Sequence, residues 1–390
     1  MTAAARSEAE ALLARVRELA PGFRERAGAA EAARRLPQES VRELLDAGLA
    51  RVLAPRALGG WELGLEAWFA VVCEIAAADA SHGWCASLIV HHSHWLGSFA
   101  EEAQREVWRD GPDVALAGSV LPVCAVTPVD GGFRVSGRSP FTSGVDHSAW
   151  VHVAGMVPSS AGPPAWTSFL VPREQVEVAD TWHTTAMCAT GSRTVVTQDV
   201  FVPHARTLRF SDLIAGTGPG SDAHASRLYR LPFAAYGPLG FVATMLGAAQ
   251  GAWQLLRARI AERTGPGGER AADSPFAQTG LARAAADLDA AELLLRRTIA
   301  LTYADPAPDE GRRARSLRDF AHAAQLCVSA IDAVLALSGT AAFARDDAIG
   351  RAWRDVHFAA AHVSLNPDNA NAHWGRLQLG LERAPATKIY

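Results

Sequence analysis

The sequence predicts a mainly α-helical protein with a β domain in its middle, and hydrophobic periodicity carries that prediction. Apolar residues recur with a helical period up to about residue 115 and again after about residue 226. Between them the period is two, and turn-forming pairs such as Asp130-Gly131 separate short alternating runs. We therefore expect a helical domain at 1–115, a β domain of short strands at 116–225 and a four-helix bundle at 226–390.

Local start and stop signals support helices in the N-terminal third. Ser40 followed by Glu43 has the spacing of a capping box, and Ser98 with Glu101 repeats it. Gly48 suits the end of the first of these helices, because glycine adopts the left-handed conformation at a helix C-terminus without strain. Each pair predicts a helix that begins at its serine.

The C-terminal third predicts long bundle helices, since its segments are rich in alanine and leucine and carry helical periodicity. Glycine-rich segments at 216–221 and 264–269 predict surface loops around the first of them. The four predicted helical stretches are 240–263, 281–303, 317–339 and 350–365.

Composition excludes several classes of protein. The net charge of -4 is spread along the chain without a basic block, which argues against a nucleic-acid binder. No signal sequence or stretch of eighteen uninterrupted apolar residues is present, so we expect a cytoplasmic protein that does not span a membrane. The five cysteines are odd in number and scattered, which predicts buried free thiols. His91 and His94 have the spacing of a metal-ligand pair but no third ligand, so no metal site is expected.

The order of helices, β domain and helical bundle resembles the acyl-CoA dehydrogenase superfamily, which implies that the domain at 116–225 is a small β-barrel. The segment TGSRTVVTQDVFVP (190–203) and the passage from SGT to GRAWRD (338–355) resemble motifs of that superfamily. Within it the chain is most similar to oxygenases such as p-hydroxyphenylacetate hydroxylase and the dibenzothiophene monooxygenase. Three passages carry this closer resemblance: 79–95, 137–148 and 354–366.

A dehydrogenase of this fold needs a carboxylate base beside the flavin, and the two places that could supply one hold other residues. One position holds Gln250, and the other lies in AAAHVSLN, which contains His362 but no acid. The usual dehydrogenation mechanism is therefore disfavoured, although a dehydrogenase with a displaced base stays an alternative.

The resemblance instead implies the oxygenase component of a two-component flavin-dependent monooxygenase. Such an enzyme hydroxylates an aromatic or heteroaromatic substrate (phenolic, indolic or polyketide-type) through a C4a-hydroperoxyflavin formed with O₂. Because no Rossmann-type GxGxxG follows a strand, the reduced FAD or FMN (FADH2 or FMNH2) should come from a separate flavin reductase. An N- or S-oxygenase of the same fold and a flavin-free scaffold are further alternatives.

The resemblance also implies catalytic residues. His362 should lie near the reactive edge of the flavin, and His357 is the alternative for this role. On one helix the two would point about 140° apart, so only one of them can face the flavin. His92 is expected to orient the substrate by stabilising a developing phenolate or binding an indole N–H, with His91 turned away from it. Ser119 is expected to contact the substrate.

The cofactor-binding residues follow from the same resemblance. Thr142, Ser143 and Gly144 should meet the polar edge of the isoalloxazine ring, and Trp84 should pack near that ring. Arg263 resembles an arginine that reaches a flavin phosphate across a subunit boundary, which implies a homo-oligomer, a tetramer or a dimer.

Overall fold

A computed structural model describes residues 3–159, 162–304 and 309–382 of the chain. Its N-terminal part is helical, as predicted, and the central helix α4 is buried on nearly all sides. Asp79 caps α4, because its carboxylate accepts hydrogen bonds from the backbone N–H of His82 and from that residue's ring. The five helices are α1 Ala3–Ala33, α2 Gln38–Asp46, α3 Leu65–Ala78, α4 Ala80–Leu96 and α5 Glu101–Val107.

The two predicted capping boxes are wrong. Ser40 lies inside α2 and accepts a hydrogen bond from Arg26, whose guanidinium also pairs with Glu43. Helix α5 begins at Glu101, three residues after Ser98. In α2 the ion pair with α1 has taken the carboxylate that a capping box would use. The predicted end of α2 is confirmed by Gly48, which has a φ of +88°.

A seven-stranded sheet forms the middle of the chain, in the order β5-β6-β2-β1-β3-β4-β7. The long strand β1 belongs to both halves, because its first part pairs parallel with β3 and its last part antiparallel with β2. Valines from both halves form one core between them. The strands are β1 Leu116–Val129, β2 Gly132–Thr142, β3 Trp150–Val157, β4 Ala165–Pro172, β5 Glu177–Ala179, β6 Arg193–Pro203 and β7 Thr207–Arg209.

The predicted turn at Asp130-Gly131 is confirmed between β1 and β2, where Gly131 has a φ of +75°. The predicted loop at 216–221 is confirmed, but it lies only partly on the surface. A Cβ on Gly220 would lie 2.0 Å from the carbonyl oxygen of Phe99, so the segment packs tightly against the end of the N-terminal helices. The loop at 264–269 is largely exposed, as expected.

The C-terminal bundle contains the four predicted helices, but the last of them ends earlier than expected. Helix α10 stops at Ala360, and a short helix that the sequence did not predict follows it. After α6 (Phe210–Ala215), the bundle helices are α7 Leu239–Glu262, α8 Pro275–Ala304, α9 Glu310–Ser338, α10 Ala348–Ala360 and α11 Pro367–Gln378.

Among the described residues, Glu310–Phe343 is the one helical stretch long enough for a membrane span that also contains an 18-residue window of high mean hydropathy, 1.8. A core helix can have the same length and composition. Helix α9, within this stretch, packs against α7, α8, α10 and α11. All five cysteines are free thiols, as predicted, and four of them are buried.

Glycine lets α7 approach the backbone of α3, and this contact holds the bundle to the N-terminal helices. A Cβ on Gly251 would lie 2.1 Å from the carbonyl oxygen of Ala77, and one on Gly247 would lie 2.2 Å from that of Cys73. Both contacts involve backbone atoms, which cannot move without separating the helices.

We expect Gly251→Ala to lower the free energy of unfolding by about 3 kcal/mol, because overpacking against backbone has few ways to relax. Gly375→Ala is the matched control, since Gly375 lies in α11 with no heavy atom within 4 Å of the added methyl. That change should stabilise the protein by about 0.5–1 kcal/mol through helix propensity. Denaturant unfolding of both variants measures the difference, and equal stabilities would contradict the packing argument.

Candidate active site

A chain of hydroxyl groups joins α4 to the sheet. The indole N–H of Trp84 donates to Oγ of Ser143 at 3.2 Å, and that oxygen lies 2.7 Å from Oγ of Ser192. Ser192 lies in turn 2.6 Å from Oγ1 of Thr190, which donates to the carbonyl of Met187. All of these hydroxyls are buried, so the loop between β2 and β3 is held firmly against α4.

The loop that contains Thr142, Ser143 and Gly144 uses most of its polar groups to hold its own shape. The N–H of Ser143 donates to the carbonyl of Phe141, and the N–H of Gly144 donates to that of Thr190. Thr142 is fully buried, and its hydroxyl donates to the carbonyl of Ser139. Gly144 has a φ of +70°, which a larger residue would adopt only under strain. The hydroxyl of Ser143 is therefore the group that links this loop to the aromatic residues of α4.

Aromatic rings from three separate elements meet at Trp84. Phe241, near the start of α7, stacks on it with ring centroids 4.6 Å apart. His362, in the turn after α10, lies 4.3 Å from Phe241 and 6.0 Å from Trp84. The structure thus brings together two predicted residues, Trp84 and His362, with a third ring that the sequence did not single out.

His362, rather than His357, lies at this site. The predicted angle between them does not apply, because α10 ends at Ala360 and His362 follows the helix. His357 instead bonds Asp332 of α9 at 2.8 Å, in a partly exposed position. Nδ1 of His362 accepts the backbone N–H of Ser364, so the proton of the neutral ring is on Nε2. Burial lowers the pKa of His362 to about 4, which keeps the ring neutral.

His92 has the opposite hydrogen-bonding character. Its Nδ1 lies 3.0 Å from the carbonyl oxygen of Leu116, which can only accept, so Nδ1 carries the proton and Nε2 is an acceptor. Burial lowers the pKa of His92 to about 4. Eight residues along α4 separate His92 from Trp84, a rise of about 12 Å. A small cavity lined by Leu88, Leu116 and Ser143, among others, lies between α4, β1 and the loop after β2.

The neighbouring histidines of α4 have other surroundings. His91 stacks between Trp68 and Phe233, with centroids 5.1 and 5.3 Å away. His94 lies 3.0 Å from the carbonyl of Leu228 and accepts the hydroxyl proton of Tyr236 at 2.8 Å. Within the described part of the chain, no three His, Cys, Asp or Glu side chains are grouped in a way that could hold a metal ion.

Ser119 and Arg263 are the two remaining predicted residues. Ser119 is buried in β1, three residues after Leu116. Arg263 is exposed just beyond the end of α7, twenty-two residues from Phe241, which corresponds to about 33 Å along a helix. One chain therefore cannot bring Arg263 to the ring cluster around Trp84.

The sequence missed several residues that build the site. Thr190 and Ser192 lie in the TGS segment that carried part of the family resemblance, so that motif was an available signal for them. Phe241 and His152, which lies beside His92, had no such signal, because only the packing of α7 and β3 on α4 places them here.

Comparison with known proteins identifies the family of this chain. Residues 6–111 match the N-terminal domain model of acyl-CoA dehydrogenase, and 239–367 match the C-terminal domain model. The flavin-dependent monooxygenase oxygenase subunit HsaA of Rhodococcus jostii (strain RHA1) is 35% identical over 374 residues, which cover 94% of this chain and 98% of that protein. The FADH(2)-dependent resorcinol hydroxylase, oxygenase component, of Rhizobium sp. (strain MTP-10005) is 35% identical and covers 95% and 94% of the two chains.

A solved structure shows the same fold. The crystal structure of 3-HSA hydroxylase from Rhodococcus sp. RHA1 superposes with a TM-score of 0.91 at 33% identity, covering 97% of this chain and 99% of that one. The two family models leave the β domain unmatched. The similarity to this structure includes that domain, because it covers nearly the full length of both chains. The chain therefore belongs to the acyl-CoA dehydrogenase family, as an oxygenase component among its flavin-dependent monooxygenases.

Proposed function

We propose that this enzyme hydroxylates a phenolic substrate, using O₂ and reduced FAD or FMN that a separate cytoplasmic reductase supplies. One observation carries the choice of a phenol: His92, which is buried, and His362, which is partly buried, are neutral imidazoles of opposite hydrogen-bonding character, and in this proposal they flank the site. His92 offers an acceptor nitrogen and His362 offers a donor N–H. An aromatic hydroxyl needs the acceptor, and activated oxygen needs the donor.

The residues around Trp84 fit a flavin. The stacked rings of Trp84 and Phe241 provide a flat apolar surface, and Ser143 adds a hydroxyl at its edge. A flat ring system with polar edges needs both kinds of contact. When bound, reduced flavin combines with O₂ and supplies the activated oxygen atom.

We propose that His92 assists attack by the aromatic ring. A phenol hydroxyl would donate to Nε2, and this hydrogen bond strengthens as the ring loses electron density to the incoming oxygen. The carbonyl of Leu116 holds the Nδ1 proton throughout, so the imidazole keeps its orientation and tautomer. We propose that Ser119, on the same strand, contacts the substrate at this end.

His362 serves the flavin end of the site. Its Nε2 proton is available as a donor beside Trp84 and Phe241, while Ser364 holds Nδ1. A hydrogen bond to activated oxygen in a water-poor pocket slows its release as H₂O₂. We propose that Arg263 binds flavin phosphate in a neighbouring subunit, which requires a homo-oligomer of at least two chains.

The test is to mix the protein with photoreduced FAD or FMN and ¹⁸O₂ in the presence of simple phenols such as resorcinol. We expect a hydroxylated product that contains one ¹⁸O atom per molecule. A control with no protein should oxidise the flavin and form only H₂O₂. If no phenol is hydroxylated, and an acyl-CoA thioester instead reduces the bound oxidised flavin, the enzyme is a dehydrogenase and the proposal is wrong.

A further inference from the structure

A group of rings beside His92 has no role in the proposed reaction. The imidazole of His152, on β3, has its centroid 5.4 Å from that of His92. The indole of Trp95 lies 5.5 Å from His92 and 5.9 Å from His152. Phe99 closes the other side of His152 at 5.5 Å. His92, Trp95 and His152 thus form a triangle of heterocycles between α4 and the sheet.

This triangle holds polar atoms that have no partner among the described residues. Both ring nitrogens of His152 and Nε1 of Trp95 are buried without a hydrogen bond. Leaving a buried polar atom unpaired costs about 1–3 kcal/mol. A phenylalanine would fill the place of His152 without that cost, so the imidazole lowers the free energy of unfolding. A role in binding would explain why a histidine stands there.

Two nearby positions on β1 hold the two histidines. Leu116 and Gly118 lie two residues apart on this strand. Leu116 holds His92 through its carbonyl, while Gly118 pairs with His152. A Cβ on Gly118 would lie 2.7 Å from Cβ of His152, so glycine at this position makes room for the histidine.

The three rings offer complementary hydrogen-bonding groups. Nε2 of His92 accepts, Nε1 of Trp95 donates, and the neutral ring of His152 has one nitrogen of each kind. A ring with a single hydroxyl would satisfy His92 and leave atoms of the other two rings unpaired. A ring with two oxygen substituents, either two hydroxyls or a hydroxyl and a carbonyl, would satisfy more of them.

We infer that His152, with Trp95, is a specificity residue that selects aromatic substrates carrying a second oxygen besides the hydroxyl bound by His92. This inference rests on the proposed function, since it assumes that the substrate ring lies beside His92. It adds a substrate class to that function: dihydroxybenzenes and hydroxyaryl carbonyl compounds rather than monophenols.

Equilibrium binding tests the inference without any flavin chemistry. Resorcinol, catechol and 3-methylphenol are titrated against the protein, with quenching of tryptophan fluorescence as the readout. These probes have nearly the same size, but 3-methylphenol lacks the second oxygen. We expect the wild type to bind at least one dihydroxybenzene about tenfold more tightly than 3-methylphenol, the size of one net hydrogen bond.

His152→Phe should reduce that preference to less than about twofold while 3-methylphenol binds at least as tightly as before. The matched control is His357→Phe, the same substitution at a surface histidine, which should keep the wild-type preference. The melting temperature of His152→Phe should equal or exceed that of the wild type, because an unpaired polar ring is replaced by an apolar one.

Three results would overturn the inference: a wild type that does not discriminate among the probes, a His152→Phe variant that keeps the preference, or a variant that loses stability together with all binding. The last would make His152 a structural residue. Failure of the proposed function looks different, because the wild type would then bind dihydroxybenzenes selectively and still form no hydroxylated product with reduced flavin and O₂.

Discussion

His92→Ala should lower kcat for hydroxylation of a phenol by about 10²–10³-fold, the usual effect of removing a group that handles a proton in the transition state. The substitution removes the acceptor nitrogen that Leu116 keeps unprotonated, and leaves the residues around Trp84 in place. Product formation under saturating reduced flavin, measured by chromatography, gives the rate. The neighbouring His91→Phe is the control, because His91 stacks between two apolar rings and should not contact the substrate hydroxyl.

The pH dependence separates a proton-handling role from a packing role. Since burial lowers the pKa of His92 to about 4, the acceptor form of the ring is present above that pH, and activity is lost only as pH falls through it. Titration of His92 should therefore cause no change in the wild-type rate between about pH 5 and 8. In His92→Ala the rate should rise with pH, because ionisation of the phenol in solution, with a pKa of about 10, must replace the missing acceptor. A level profile in the variant would show that His92 only packs.

His362→Ala should uncouple oxygen consumption from hydroxylation. We expect the ratio of product to H₂O₂ to fall about 10²-fold, the loss typical of removing one hydrogen-bond donor to a developing oxyanion. Oxygen consumption itself should continue, because reduced flavin reacts with O₂ without help from this residue. Product and peroxide are measured in the same reaction.

Two further variants make the His362 result specific. His357→Ala should leave the ratio unchanged, since His357 bonds Asp332 of α9 and makes no contact with Trp84 or Phe241 among the described ring pairs. His362→Gln, which keeps a side-chain N–H, should recover part of the coupling. Unchanged coupling in His362→Ala would remove this residue from the oxygen-handling role and leave it a packing partner of Phe241.

The sequence by itself predicted the architecture, because hydrophobic periodicity is a local property that each helix or strand displays along its own length. It also predicted the turn at Gly131 and the end of α2 at Gly48, where a positive φ favours glycine. The family resemblance predicted that both His362 and Trp84 lie near the flavin. The structure brings these two residues together. The prediction that His362 shares a helix with His357 was wrong. Helix α10 ends before His362, which begins the turn that follows.

Contacts between segments distant in sequence were decided only by the tertiary structure. The capping boxes at Ser40 and Ser98 failed because local signals compete with ion pairs and packing from elsewhere in the fold. Nε2 of His92 is an acceptor because the protonated Nδ1 donates its hydrogen bond to a carbonyl twenty-four residues away, on β1. His152 carried no signal in the sequence, since its place beside His92 follows from the parallel pairing of β1 with β3 and from the absence of a side chain at Gly118. Strand register is a non-local property, so no window of sequence around His152 could have revealed its neighbours.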